Sequence, residues 1–397
     1  RAPRRFQLHA GIAEGVVAGR WGRDRMEETR ALRERQPGGS ISEAVAGHRP
    51  GQIIRVAAGV YRQNIVAFRK DDMSILGAGM NATYISPGSG DGLVVILGSN
   101  TWLNNLHFSG GGRGLISLGG DIHARYISTV GVRDDGMVAN DSGEPEVRAS
   151  RLDISYSNFN SSQRGYGMWL QGHTDAKIWK TTFNNNGTDP SLVPNGNDAR
   201  GLVVSENASA VVRQSMFDGN FNTGLAALEN STLFMRRSVV RYNREGNGAM
   251  FLGNANVDLE RNRFDDNGLI RDPNDLSRGR NGIEFYRDYR GQARVVNNTF
   301  VGNTGFGIFI PKGAPPEVVA TVDKLWAEKI ATSEKLKKYA AEKGALFTPL
   351  YGKAAYDAVW PTVVTDAYLL QDAGKNYFGQ RNTDQSYRAV GGLRGNF

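Results

Sequence analysis

The sequence predicts an all-β fold, a solenoid of about ten short coils, on three observations. Phe183, Phe217, Phe264 and Phe300 each open the same phrase, an aromatic residue followed by two residues and an Asn, and Val240 opens a variant of it. The steps between these five positions are 34, 23, 24 and 36 residues, a period of about 23 stretched by loops. After each phrase comes a Gly leading a short apolar-alternating strand, at Gly201, Gly224, Gly248, Gly282 and Gly307, with Gly167 one coil earlier. Gly supplies 50 of 397 residues and Asn is abundant, as expected of a chain that turns several times per coil and needs residues tolerant of positive φ. A repeat of this length signals stacked units that cannot bury their faces alone. Units holding only short strands and Gly/Asn turns argue for a β-solenoid over a helical array.

In chain order, residues 1–40 form a basic leader with nine Arg, no Lys and five acids, a net +4, and with helical character around Arg23–Arg35. This segment reads as a solvated leader on the solenoid's end, with an arm for polyanions as the alternative. Ser40 is placed as the N-cap of a short helix beginning at Ile41. Strands follow Pro50-Gly51: Ile53–Val56, Gly59–Tyr61, Ile65-Val66, Ser74–Gly77 and Thr83–Ile85. The repeat body runs over 41–313. Within it the Phe residues are expected to stack inside and the Asn residues to exchange amide hydrogen bonds, both as structural ladders. Residues 314–373 break the pattern, with no Arg or Asn and seven of the twelve Lys. Apolar residues at Val318, Val322, Leu325, Ile330, Leu336 and Tyr339 predict a helical insertion ended by Gly344, with a second helical stretch around Tyr356–Val359. Residues 374–397 read as a last coil, at Asn376-Tyr377-Phe378-Gly379, and a tail.

From Ile41 to Ile85 the chain resembles the opening of right-handed parallel β-helix proteins of the pectate-lyase-like superfamily. The matching residues are Pro50-Gly51-Gln52-Ile53, Val56, Gly59-Val60-Tyr61, Ile75, Gly77, Gly79 and Thr83-Tyr84-Ile85. The resemblance implies a single-stranded right-handed parallel β-helix with an N-terminal capping helix, which the α-helical insertion interrupts near the C-terminus. It implies no single activity, since such folds host lyases, epimerases, hydrolases, esterases, phage tail proteins and non-enzymes.

Composition narrows the function classes. With no cysteine, neither a disulfide nor a thiolate metal site can form. No stretch approaches 18 consecutive apolar residues, so no membrane-spanning helix is expected. The chain begins at Arg1 with no signal peptide, which fits a mature exported form or a trimmed one, and an extracytoplasmic location (periplasm or secreted) is expected. The net charge of +8 favours acidic partners, a uronate polysaccharide or an anionic surface. Nucleic acid is not expected, because no recognised binding motif occurs and aromatic residues do not interleave with basic ones along the chain.

The resemblance places function on the outward side of the Gly-led strands, and period-2 parity picks out those residues. The first outward line reads Trp169, Val203, Ala226, Met250, Glu284, Phe309; the second reads Gln171, Ser205, Leu228, Leu252, Tyr286, Pro311. Most of this face is apolar, and one coil concentrates chemistry. Glu284, Tyr286, Arg287 and Asp288 are the candidate catalytic residues. Trp169, His173, Arg278, Arg280, Phe309 and Lys312 are the candidate substrate-binding residues. β-Elimination or epimerisation of a uronate needs a base at C5 and positive charge beside the carboxylate, to stabilise an enolate-like intermediate. Glu284 or Tyr286 suits the base or acid, with Arg287, Arg280 and Lys312 as charge clamps; the alternative is a surface ion-pair cluster. Inverting hydrolysis would need two carboxylates roughly 6.5–9.5 Å apart, met by Glu284 with Asp288 or a loop Asp only if the loop folds inward. A line at the next turn reads His173, Asn207, Asn230, Asn254, Asp288, which puts His173 and Asp288 four coils or about 19 Å apart, too far for one catalytic pair. No cofactor is expected. Ca²⁺ is the one metal with candidate ligands, at Asp265-Asp266-Asn267, Asp272-Pro273-Asn274-Asp275 and Asn195–Asp198, all of which read first as turns.

Two function classes stand. One is an exported carbohydrate-interacting protein, a lyase or epimerase acting on an acidic polysaccharide. The other is a non-catalytic scaffold of a periplasmic or cell-surface assembly, with the insertion contacting another surface or periplasmic protein. Metal delivery ranks third because His and Met are sparse. Folding of the insertion over Met250, Leu252 and Phe309 as a lid is expected to account for their outward direction.

Overall fold

The computed structural model describes residues 39–143, 147–189, 191, 199–268, 281–286, 288–304, 307–309, 320, 324, 327, 328 and 331–342. Ser40 caps helix α1 (Ile41–Ala46) as expected, its hydroxyl accepting the Glu43 N–H at 3.0 Å. Ile41 and Val45 are buried on the inner face of that helix and join the solenoid core, so α1 covers the end of the first coil. The strands expected after it form where the alternation places them, with Ile65–Phe68 two residues longer than read.

Most coils contribute a four- or five-residue strand, a three-residue strand carrying the Phe position, and the Gly-led strand, for example Thr232–Arg236, Val239–Arg241 and Ala249–Phe251. In two early coils the first two strands run together, as Thr101–Ser109 and Asp121–Val130. All inter-coil pairs are parallel and in register. The Gly-led strands and their equivalents from Ile65–Phe68 onward build one ten-stranded sheet, and the others build an eighteen-stranded sheet around the remaining sides. Ten coils lie among the described residues, in keeping with the count of about ten read from the sequence.

The two ladders are present. Phe183, Phe217, Val240, Phe264 and Phe300 are direct register partners, and the stacked rings lie 4.9 Å (Phe183–Phe217) and 5.1 Å (Phe264–Phe300) apart. Phe159 extends the stack by one coil at 5.8 Å. The Asn ladder runs Asn186, Asn220, Asn243, Asn267, Asn303, each Nδ2 donating to the next Oδ1 at 2.7–2.9 Å. Asn220 is fully buried, and its second Nδ2 hydrogen goes to the Phe183 carbonyl while Oδ1 also accepts the Asn186 N–H. Every donor and acceptor of that amide is used, which removes the cost of burying it.

One expectation about the turns is corrected. The positive-φ residue at the corner between the two strands of the larger sheet is neither Gly nor Asn in most coils. It is Tyr126, Tyr156, Lys180, Gln214, Arg237 and Arg261 in turn, followed by Asn297, all at φ between 49° and 56°. Each corner N–H from Tyr156 to Arg261 bonds to the carbonyl just before the corner of the next coil, so inter-coil hydrogen bonding imposes the left-handed conformation whatever the side chain.

In the segment read as an insertion, helix α2 (Glu334–Glu342) falls within the stretch expected to be helical. The leader, Tyr356–Val359, the last coil at 376–379 and the contact of the insertion with Met250, Leu252 and Phe309 lie outside the described residues. Among the described residues no helix is long and apolar enough to cross a membrane.

Candidate functional site

The first outward line forms as read: Trp169 pairs with Val203, Val203 with Ala226, Ala226 with Met250, Met250 with Glu284, and Glu284 with Phe309. Its middle is closed to solvent. Val203 (1% exposed), Ala226 (0%) and Met250 (6%) form an apolar cluster separate from the solenoid core, with Tyr166, Trp169, Leu228 and Leu252 packed over it. The face therefore presents polar chemistry only at its two ends, about 19 Å apart over four coil steps.

At the C-terminal end stands Glu284. Its Oε2 accepts from Asn247 Nδ2 at 2.7 Å and from Asn281 Nδ2 at 3.3 Å, and the Asn281 N–H in turn holds Asn247 Oδ1 at 2.7 Å. Among the described residues no donor reaches Oε1. Burial holds the Glu284 carboxyl above its ordinary range, and the two amide donors offset this in part. Tyr286 follows two residues on, about 6.6 Å along the strand on the same face. Burial first, then the charges of Glu284 and Asp288, raise its phenol, while the Arg200 guanidinium works the other way. One coil thus joins a carboxyl displaced toward neutral pH, with one oxygen tied and one free, to a phenol that stays protonated.

Asn247, Asn281 and Arg200 were not among the residues expected. They occupy the position just before the strand-leading Gly, as Asp135 and Tyr166 do in earlier coils, and the carbonyls of this column accept the Gly N–H of the preceding coil. Counting back from the strand by twos would turn these side chains inward. The chain bends at the Gly, so they project beside the outward face instead, and parity fails there.

At the other end, Tyr166 meets Trp169 edge-on at 5.3 Å, and Arg200 lies 6.0 Å from the Tyr166 ring. Trp169 Nε1 donates to Ser205 Oγ at 3.0 Å. Next to them Asp135 is buried, accepting the Tyr166 N–H at 2.8 Å and pairing with Arg113 at 3.1 Å; burial raises its carboxyl too. His173 is largely exposed and pairs with Asp141 at 2.9 Å, which makes it a turn residue bound to its own neighbour.

The turn line needs a correction. The N–H of Arg290 bonds to the Gly253 carbonyl, just as that of Asn230 bonds to Glu206, so Arg290 and not Asp288 continues the line of Asn254. The connection from Tyr286 to Gln292 is two residues longer than that from Leu252 to Asn256. The extra length carries the exposed Asp288 outward and seats Tyr289 inside, its ring 4.9 Å from Phe285.

Arg287, Arg278, Arg280 and Lys312, and the candidate ligands Asp272, Asp275 and 195–198, lie outside the described residues. Phe309 is half-buried beside Glu284. Asp265-Asp266-Asn267 forms a coil turn, Asn267 in the ladder and Asp265 paired with Arg263. Among the described residues no group of three His, Asp or Glu is arranged for a metal ion.

Residues 135–321 match the family model for the right handed β-helix region, which gives the hand of the solenoid. No curated protein matches the chain. Among solved structures, an alginate lyase from Paenibacillus is similar at a TM-score of 0.48 and 13% identity, over 68% of this chain and 96% of that one. A pectate lyase is similar at 0.41 and 14%, over 70% and 76%. A surface adhesin of Streptococcus pneumoniae is similar at 0.39 and 11%, over 67% and 87%. At these scores none bears on what any side chain does.

Proposed function

From a right-handed parallel β-helix whose outward face is apolar in its middle and carries Glu284 at its C-terminal end, we propose a carbohydrate-interacting protein that works outside the cytoplasm and acts on an acidic polysaccharide at Glu284. The observation that carries this reading is the tethered carboxyl: burial raises its pKa, Asn247 and Asn281 fix one oxygen, and the other oxygen is left for a substrate proton. A base displaced toward neutral pH suits removal of a proton α to a carboxylate. Glu284 would take the C5 proton of a uronate, and Tyr286, kept protonated by its surroundings, would give its proton to the departing O4 or return one to the opposite face. Positive charge for the enolate-like intermediate is assigned to Arg287, Arg280 and Lys312.

The test is a screen of the full chain on alginate, pectate and glucuronan. Lyase chemistry releases an unsaturated product absorbing in the ultraviolet; epimerisation changes the uronate composition without cleavage. Glu284→Gln is expected to abolish either, and Tyr286→Phe to lower the rate by about 10²–10⁴-fold. If no uronan is altered by the wild type, the Glu284 reading is discarded, whether or not one is bound. The scaffold reading would then stand, favoured by the closed apolar cluster of Val203, Ala226 and Met250, which resembles a contact surface more than an open sugar groove.

A further inference from the structure

The corner of the larger sheet carries a feature that the Glu284 face does not use. The ladder of positive-φ residues projects one side chain per coil from Tyr126 to Asn297, six steps of about 4.8 Å, roughly 29 Å along the axis. Aromatic and basic side chains meet over its first half. Arg125 sits 5.0 Å from the rings of both Tyr126 and Tyr156, and Lys180 lies 4.6 Å from Trp179 and 5.2 Å from Tyr156. Arg125-Tyr126 and Trp179-Lys180 are neighbours in the chain, and stacking of coils brings Tyr156 between the two pairs. Trp179 is fixed by its Nε1 donating to Gln214 at 2.9 Å, yet the residue is 41% exposed.

The second half is arginine. Arg213 and Arg236 are direct register partners on adjacent strands, and Arg237 and Arg261 occupy adjacent corners. Like charges one coil apart oppose folding unless something neutralises them. Asp258 and Glu260 do so for Arg236, and Glu260 for Arg261. Among the described residues Lys180, Arg213 and Arg237 meet no carboxylate. A recess of about 500 Å³ opens there, lined by Arg237, Arg261, Arg263, Asn297 and Thr299, a size that accommodates a small ligand or one segment of a polymer.

The geometry points to this corner as a second glycan-binding surface, which holds an acidic polysaccharide lengthwise on the solenoid, its carboxylates on the arginine row and a sugar face on Trp179. A rigid in-register ladder repeats its cations at the coil spacing, roughly the width of one pyranose ring, so one uronate per coil can meet one guanidinium in a forked contact. A flexible loop could not hold such spacing. Single-stranded nucleic acid fits less well, because its binders offer successive free aromatic faces, whereas here Arg125 and Lys180 cover the tyrosines and Lys180 takes one face of Trp179, leaving the exposed part of that one ring for a sugar.

The surface stands apart from the Glu284 reading, and the two fail separately: loss of turnover in Glu284→Gln and loss of binding at the corner are different results. The test is affinity electrophoresis of the full chain in gels containing alginate, polygalacturonate or neutral dextran, with single-stranded DNA as competitor. Wild type is expected to be retarded by the two uronans and not by dextran, and less so as salt rises. Arg237→Glu with Arg261→Glu should weaken retardation at least about tenfold, and Trp179→Ala several-fold at unchanged salt dependence. If charge reversal next to Glu260 unfolds the coil, Arg213→Gln with Arg237→Gln, neither in an ion pair, carries the same test. The proposal is overturned if these folded variants bind uronans like wild type, if wild type binds no uronan, or if DNA binds as tightly and Trp179→Ala changes nothing.

Discussion

Glu284 is the residue whose behaviour is hardest to infer without its neighbours. An outward Glu on a strand is ordinarily a solvated carboxylate; here burial raises its pKa and two amides hold one oxygen. The folded chain therefore binds its proton more tightly than the unfolded chain, and ionising it costs stability that is lost as pH rises above the ordinary carboxylate range. Glu284→Gln should raise Tm by about 1–3 °C at pH 8 and leave it unchanged near pH 4, by calorimetry. An unchanged difference across that range would show that burial is not what shifts the group. Asn220 presents the opposite case, a buried polar residue with every bond made. Asn220→Ala strands the Asn186 N–H and one Asn186 Nδ2 hydrogen and should cost roughly 2–4 kcal/mol in urea unfolding, against near-neutral cost for the exposed Asn254.

At the scale of the element, the Phe-bearing strands are held by in-register packing, Phe183 between the rings of Phe159 and Phe217, and Phe217 between Phe183 and Val240. Phe217→Ala should cost about 3–5 kcal/mol and Phe217→Leu much less, measured the same way. The five- and three-residue strands are legible in the chain because alternation and the Gly and Asn positions agree with each other. The corners between them are not. Tyr156, Lys180, Gln214 and Arg237 carry no local preference for positive φ, and inter-coil hydrogen bonds impose it. The position before each strand-leading Gly is illegible for a related reason: a bend resets the parity, so Asn247 and Asn281 read as inward and turn out to hold Glu284.

Over the whole molecule, a solenoid must close its open ends, since an uncovered coil offers unpaired strand edges and apolar interior. Helix α1 does this at the N-terminal end through Ile41 and Val45. Val45→Asp should destabilise the protein by several kcal/mol and give concentration-dependent oligomers in size-exclusion chromatography, where the exposed-face variant Glu43→Gln stays unchanged. The sequence by itself determined the solenoid, its ten coils, the strand register and the two interior ladders. Those follow from period and alternation, which are local and repeat many times, so each coil corroborates the next. Only the tertiary structure decided which outward residues are chemically poised. Exposure, pKa and ion pairing depend on side chains one coil away, 23 to 36 residues distant in sequence, and on single bends and two-residue insertions that shift a side chain from one face to another. That is why Val203 and Ala226 on the expected open face are buried, why Asp288 leaves the turn line, and why Arg125 and Lys180, from coils on either side, meet over Tyr156 on one corner.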